Sequence, residues 1–185
     1  MRNPRLGKSL LASALGLAVL AGLASPAQAA DTTATFTLSA AGGLAITAPA
    51  TSTLGGGATG GTATTPAQMG NIVVSDTRGA LLGTWTASVT SSDFTTGGAS
   101  AAETIAKANA DYWSGASISP TGTAVRVPGQ ALAANKVTLA ASRTAFSASG
   151  VTGNGTTTWN PTVGVTIPAS AVAGDYSATI THSAA

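Results

Sequence analysis

The fold is indicated most clearly by two stretches near the end of the chain, Pro161-Thr162-Val163-Gly164-Val165-Thr166-Ile167-Pro168 and Ala173-Gly174-Asp175-Tyr176-Ser177-Ala178-Thr179-Ile180-Thr181-His182-Ser183. Apolar and polar side chains alternate in both, which is typical of a β-strand with one buried face and one solvated face. Gly174 and Tyr176 form a Gly-x-Tyr corner between them. A corner tyrosine whose hydroxyl bonds back to the backbone is a device of Greek-key sandwiches, so both residues are predicted to be structural.

Similar alternation recurs in shorter segments, and glycine, proline and asparagine separate them. The predicted strands cover residues 35–39, 44–46, 70–75, 83–90, 116–120, 124–128 and 136–140. Alternation in the strand over 83–90 favours a buried position for Trp85. Asp76, Arg78 and Gly79 are predicted to form a turn before it, because aspartate bonds nearby backbone and glycine tolerates a positive φ. A short helix is predicted over residues 99–110.

This succession of short strands and turn residues is typical of antiparallel sandwiches. We therefore predict an all-β fold, a single antiparallel β-sandwich with Greek-key or immunoglobulin-like character. Residues 54–64 are rich in glycine and threonine and are predicted to be a surface loop or an insertion that few contacts oppose. No internal repeat or second domain is expected.

The N-terminus has the pattern of a secretory signal peptide. Arg2, Arg5 and Lys8 precede an apolar run over residues 9–23, and Ala27-Gln28-Ala29 is a small-x-small cleavage site. A retained anchor is the alternative, but a membrane helix needs about 20 apolar residues. We expect a signal peptide over 1–29, a secreted domain over 30–185, and no membrane span after cleavage.

Charge and composition exclude several classes of function. Residues 30–185 carry five basic and six acidic side chains, so their net charge is −1. A nucleic-acid partner is not expected, because binding phosphates requires a basic footprint. The chain has no cysteine and one histidine, which excludes disulfides and the His/Cys type of zinc site. No calcium-type run of aspartates is present, and no metal or cofactor is predicted.

Two blocks carry a resemblance to a known family. Val74-Ser75-Asp76-Thr77-Arg78-Gly79, followed by Gly83-Thr84-Trp85-Thr86-Ala87-Ser88-Val89, resembles the Asp-x-Arg-Gly…Trp-x-Leu segment of WxL-domain proteins. The stretch from Val165 to Thr181 resembles their C-terminal Val-Pro…Ala-Gly-x-Tyr segment. Ala87 stands where the family has leucine, and His182 and Ala184 stand where the second Trp-x-Leu would lie. The resemblance implies a divergent, actinobacterial type of WxL-like β-domain, secreted by a Gram-positive cell and held non-covalently at its wall.

Catalysis is not expected. His182 is the only histidine available to a Ser-His-Asp triad, and no Gly-x-Ser-x-Gly nucleophile elbow occurs. His182 is predicted to be a solvent-facing or capping residue of the last strand. Asp76 and Asp175 flank glycine corners, and we predict that both form turns. A glycosidase pair of carboxylates remains the less favoured alternative.

Aromatic side chains are the candidate ligand contacts, because an exposed aromatic ring stacks on sugars whereas a buried one fills a core. The candidates are Trp113, Tyr112, Trp85 and Trp159. Trp85 and Trp159 favour the core. Tyr112 and Trp113 lie in a polar segment predicted to be a loop, so Trp113 is the first choice.

The leading hypothesis is a non-enzymatic cell-surface protein whose partner is peptidoglycan, another cell-wall polymer or another wall protein. An alternative is a structural or adhesive subunit that assembles through exposed sheet edges. A secreted hydrolase is the remote alternative, because acid and base residues are scarce.

Overall fold

The computed structural model describes residues 33–59 and 64–185. The predicted signal peptide over 1–29 lies outside the described residues. Contacts divide the chain into residues 1–37 and residues 38–185, and every described strand belongs to the second unit. Residues 33–37 carry no regular secondary structure. No helix within the described ranges is long and apolar enough to span a membrane.

The described part of the chain forms eleven strands. In chain order they are β1 (Leu44–Thr47), β2 (Ala67–Gln68), β3 (Ile72–Ser91), β4 (Phe94–Thr95), β5 (Thr104–Ile105), β6 (Ala110–Trp113), β7 (Ser117–Pro128), β8 (Val137–Thr138), β9 (Arg143–Trp159), β10 (Thr162–Val165) and β11 (Ile180–Ala184). Each paired set is antiparallel. The predicted all-β antiparallel sandwich is confirmed.

The strands form two larger sheets and one ribbon. The first sheet has the order β1-β3-β9-β7, and β11 also pairs with β3. The second has the order β2-β10-β6-β8, and β4 pairs with β5. Most neighbours are not consecutive in the chain, so long connections cross between them. β1 and β11 lie along the same side of β3, at residues 73–76 and 87–91 respectively.

At the turn predicted for Asp76, Arg78 and Gly79, the chain bends but does not reverse. β3 continues through it to Ser91, and its register against β9 shifts between Asp76 and Trp85. Gly79 takes a φ of 62° there, the left-handed conformation that glycine tolerates. These irregularities are β-bulges, which change which side of a strand faces the core. The buried positions accordingly change from even to odd numbers: Ile72, Val74 and Asp76 before the bulges, and Trp85, Ala87 and Val89 after them.

The predicted helix over 99–110 is also wrong. The Ser100–Glu103 capping pair begins only a single 3-10 turn, Ala101–Glu103, and the chain then joins β4 as β5. A second 3-10 turn, Lys107–Asn109, leads into β6. The segment has few apolar anchors, so pairing with β4 and β10 stabilises more than continued helix does.

Other strand predictions differ from the structure in their bounds. The predicted strands over 116–120 and 124–128 join into β7, which lies at a sheet edge. The last predicted strand is regular only from Ile180, after one isolated bridge at Ser177. Residues 35–39 form no strand, and Phe36 is 90% exposed.

The core lies between the two larger sheets. Phe146 and Trp159 on β9 stack with ring centroids 5.1 Å apart. Tyr112 on β6 and Val163 on β10 contribute from the second sheet, and all four are fully buried. This dry interface contains no disulfide, since the chain has no cysteine, and it relies on apolar burial for its stability.

Candidate functional site

β6 separates the two aromatic residues that the sequence places side by side. Successive side chains of a strand point to opposite faces, so Tyr112 and Trp113 cannot share an environment. Tyr112 is fully buried, whereas Trp113 and Asp111 are partly exposed on the other face. β10 fixes this arrangement, because Val163 pairs with Tyr112 and Thr162 with Trp113. The predicted loop around these residues is therefore a strand.

Trp113 lines a small cleft of about 240 Å³ on the outer face of the second sheet. Its other lining residues are Thr64, Pro66, Asp111, Ala133, Lys136, Gly164 and Thr166. Lys136 Nζ donates to Asp111 Oδ2 at 2.7 Å, and Lys136 remains half exposed. A Cβ on Gly164 would meet Pro66 Cγ at 3.2 Å, so this glycine lets Pro66 lie close. The cleft joins an aromatic ring to a carboxylate and an ammonium group.

Three of the four aromatic candidates do not reach the surface. Trp85 is 4% exposed, and Tyr112 and Trp159 are fully buried. Burial of Trp85 and Trp159 agrees with the core position that alternation favours. Tyr112 was expected in a loop and instead lies in the core, because β6 continues through it. Trp113 alone of the four has a partly exposed ring.

A buried chain of polar groups connects the two sheets. Trp159 Nε1 donates to the Tyr112 hydroxyl at 3.4 Å, and that hydroxyl lies 3.1 Å from His182 Nε2. Because the tyrosine oxygen accepts from Trp159, its proton is free for His182 Nε2. The Nδ1 atom of His182 is buried and has no hydrogen-bond partner among the described residues.

The position of His182 corrects the prediction that it faces solvent. It is 9% exposed, and burial lowers its pKa from 6.5 to about 4. Burial also raises the pKa of the Tyr112 hydroxyl. The burial of His182 could have been predicted from the sequence. Tyr176, Ala178 and Ile180 share one face of the strand, and the same period of two places His182 on that face.

Tyr176 makes the hydrogen bond that the corner motif predicts. Its hydroxyl donates to the Val172 carbonyl at 2.9 Å, and the Ala102 carbonyl lies 3.2 Å away. A Cβ on Gly174 would meet Thr96 Oγ1 at 2.7 Å, so glycine lets the corner lie against the chain after β4. Both residues hold the C-terminal segment against its neighbours.

Asp76 and Arg78 form a clamp across the bulged part of β3. Arg78 Nε donates to Asp76 Oδ1 at 2.9 Å and Nη2 to Oδ2 at 2.7 Å, a bidentate pair. Arg78 Nη2 also donates to the Thr84 carbonyl at 2.9 Å. The hydrogen bond from Arg78 is the main reason that the pKa of Asp76 is lowered. Gly79 N–H donates to Asn154 Oδ1 at 3.1 Å, which ties the bulge to β9.

A larger groove opens beside the C-terminal segment. It has a volume of about 1000 Å³ and lies between the loop over 48–59 and the segment over 172–180. Sequence reasoning missed it, because it lies between two segments that are distant in the chain. Apolar side chains form much of its lining, among them Leu54, Met69, Ile72, Phe94, Ile105, Val165, Ile167 and Ile180.

Within the described ranges, no group of three or more His, Cys, Asp or Glu side chains is placed to hold a metal ion. No protein-family model, curated protein or solved structure matches this chain. The case for a function therefore depends on the Trp113 cleft, the buried polar chain and the groove.

Proposed function

We propose that this protein is a non-enzymatic, secreted surface protein that binds a glycan of the Gram-positive cell wall through the Trp113 cleft. The observation that carries the proposal is a partly exposed indole beside the Asp111–Lys136 ion pair in a cleft of about 240 Å³. Pockets for drug-sized ligands measure about 300–1000 Å³. This cleft suits one sugar ring of a longer polymer.

The chemistry of the cleft suits a neutral sugar. The indole face offers apolar area to the C–H face of a ring, and the carboxylate and ammonium groups offer an acceptor and three donors to its hydroxyls. A surface ion pair contributes only about 0–1 kcal/mol. Lys136 and Asp111 can therefore exchange their mutual contact for sugar hydroxyls at small cost.

The surroundings of His182 support a structural role rather than a catalytic one. Its ring lies between Tyr112 and Trp159, with centroids 5.8 Å and 6.3 Å away. Its Nε2 is committed to the Tyr112 hydroxyl, and no serine hydroxyl in the described part of the chain hydrogen-bonds to the ring. The resemblance to WxL-domain proteins supports the wall as the location of the ligand.

Co-sedimentation with insoluble Gram-positive cell walls tests the proposal. Protein purified from the medium of a secreting host should pellet with the walls. Moderate salt should leave binding intact, because a net charge of −1 over residues 30–185 provides little long-range attraction. Trp113→Ala should weaken binding about tenfold, the equivalent of about 1.4 kcal/mol of lost aromatic contact.

The matched control is Leu81→Ala, which removes an exposed apolar side chain on the bulged part of β3, outside the cleft lining. It should sediment like the unmodified protein, and circular dichroism should show both variants folded. Unchanged sedimentation of Trp113→Ala would reject the cleft as the binding site. A protein that stays in the supernatant at every wall concentration would reject wall binding itself.

A further inference from the structure

The groove beside the C-terminal segment borders the sandwich core, and apolar side chains such as Leu54, Met69 and Ile180 remain partly exposed in it. Its floor includes Ile72, Phe94 and Ile105, which are core residues, and its walls are the segments over 48–59 and 172–180. His182 also belongs to the lining, and its buried Nδ1 has no partner among the described residues. Partly exposed apolar side chains next to a buried, unpartnered polar atom are what a surface awaiting one more segment would show.

One wall of the groove presents free backbone groups. Ser177 exchanges two hydrogen bonds with Thr95, and the Thr179 carbonyl accepts from Ser92 N–H at 3.0 Å. In an extended segment the residues between these direct their N–H and C=O groups to the opposite edge. Ala178 and Tyr176 occupy those positions, and neither has a backbone hydrogen bond to another described residue. The open edge can therefore accept a further strand.

The same chain carries a segment that has the pattern of a strand but forms no strand in the structure. Residues 35–39 read Thr-Phe-Thr-Leu-Ser, with apolar residues at alternate positions and no charge. Phe36 is 90% exposed and Leu38 is 89% exposed. An added strand would place both side chains on one face and three hydroxyl residues on the other.

The direction of the chain favours a groove on another copy over its own. The Gly43 carbonyl accepts from Thr77 N–H at 2.9 Å, so the chain enters β1 in line with that strand. β1 then runs from the Asp76 end of β3 towards Val73, and the groove begins beyond its far end, at Ala48. Residues 38–43, which belong to the same unit as β1, thus lead into that strand at the end away from the groove.

We propose that residues 35–39 of one copy insert as a strand into the groove of a second copy. The inserted backbone pairs with the open edge at Ala178, and Phe36 and Leu38 cover the partly exposed apolar side chains of the groove. β-strand addition of this kind obtains affinity from main-chain hydrogen bonds and specificity from alternate side chains. Donor and acceptor are different surfaces, so the contact is heterologous and repeats into rings or, where the rotation does not close, into open filaments. This self-assembly is independent of the Trp113 cleft.

Sedimentation velocity across a range of protein concentrations measures the assembly. The unmodified secreted protein should form larger species as its concentration rises. Phe36→Ser/Leu38→Ser should weaken association at least about 100-fold, because it removes both apolar side chains that the inserted strand would bury. The matched control is Leu81→Ser/Leu82→Ser, which removes two leucines that are 81% and 71% exposed on the bulge of β3 and should assemble normally.

A peptide tests the groove separately. A fluorescent peptide of residues 33–41 should bind the Phe36→Ser/Leu38→Ser protein, whose groove is intact and whose own strand is disabled. The same peptide with serine at positions 36 and 38 should not bind. Circular dichroism of the variant verifies its fold.

Three outcomes would overturn the proposal. Assembly that survives Phe36→Ser/Leu38→Ser would place the contact on another surface, such as the edge strand β7. A monomeric unmodified protein whose disabled variant alone binds the peptide would mean that each chain fills its own groove. Absence of both assembly and peptide binding would mean that residues 35–39 have no affinity for the groove.

Discussion

At the scale of single residues, His182 makes the stability of the domain depend on pH. Its pKa is about 4 in the folded protein and about 6.5 in the unfolded chain. The unfolded state therefore binds more protons between these values, and the free energy of unfolding falls as pH falls. The contribution of the neutral imidazole is complete above about pH 6.5 and is lost by about pH 4. The pKa values of Asp76 and Glu103 are also lowered, from 3.8 and 4.5. The stability that these two carboxylates contribute is therefore lost as pH falls below those ordinary values, which overlaps only the lower end of the His182 window.

We expect acidification from pH 6.5 to pH 4 to cost the unmodified protein up to about 3 kcal/mol through this residue. Urea unfolding at a series of pH values measures it. His182→Gln keeps an acceptor for the Tyr112 hydroxyl but does not titrate, so its stability should change much less across the same window. If the free energy of unfolding changes equally with pH in the two proteins, His182 is not the group responsible.

Sequence alone predicts some of these residues and not others. The burial of Trp85 follows from alternation within one strand. The burial of Tyr112 does not, because its neighbours are polar and its environment depends on β10, about 50 residues away. The Tyr112–His182 contact joins residues 70 positions apart, and no local pattern encodes such a pairing. The Trp113 cleft could not be predicted for the same reason. Trp113, Lys136 and Gly164 line it together, and each comes from a different segment of the chain.

At the scale of elements, glycine determines how closely neighbouring strands approach. Gly129 follows β7, and its N–H donates to the Ala145 carbonyl at 2.9 Å. A Cβ at this position would overlap the Thr144 carbonyl oxygen, which belongs to the backbone of β9 and cannot rotate away. Gly43, just before β1, has no atom within 4 Å of the corresponding point.

Gly129→Ala should therefore destabilise the domain by about 1–3 kcal/mol, the usual cost of overpacking. Gly43→Ala is the matched control and should leave stability nearly unchanged, because neither glycine has a positive φ. Thermal unfolding of the two variants beside the unmodified protein decides the matter. A Gly129→Ala protein as stable as its control would mean that β7 moves freely relative to β9.

The bulges of β3 explain why its bounds were misjudged from sequence. Asp-x-Arg-Gly has the composition of a turn, and Asp76 does bond the backbone N–H of Arg78 at 3.1 Å. Local chemistry predicts that the chain bends here, but it does not predict that the strand continues beyond the bend. Pairing with β9 on both sides keeps the chain in one strand, and only that tertiary contact distinguishes a bulge from a reversal.

At the scale of the whole molecule, the sequence predicts an all-β sandwich correctly, because apolar and polar residues alternate in many separate segments. The groove could not be predicted, since it lies between two segments that are distant in the chain. Export is a further prediction at this scale. Cleavage after Ala29 or Ala30 should leave a chain whose first residues lead directly into the segment over 35–39.

Intact-mass spectrometry of secreted protein tests the cleavage. The expected product begins at residue 30 or 31, because the Ala-Gln-Ala site directly follows the apolar run. An Ala27→Arg/Ala29→Arg chain, with both small positions of the site replaced, should accumulate uncleaved. A secreted product that retains residues 1–29 would contradict the assignment.

The distribution of the three tryptophans gives the protein a built-in optical reporter. Indole emission shifts to shorter wavelength in dry surroundings, and a dissolved quencher reaches only rings near water. Trp85 and Trp159 are shielded, whereas Trp113 borders the cleft. The quenchable, longer-wavelength share of the emission thus belongs to Trp113. A sugar that covers this ring protects that share from the quencher, so occupancy can be followed in the unlabelled protein.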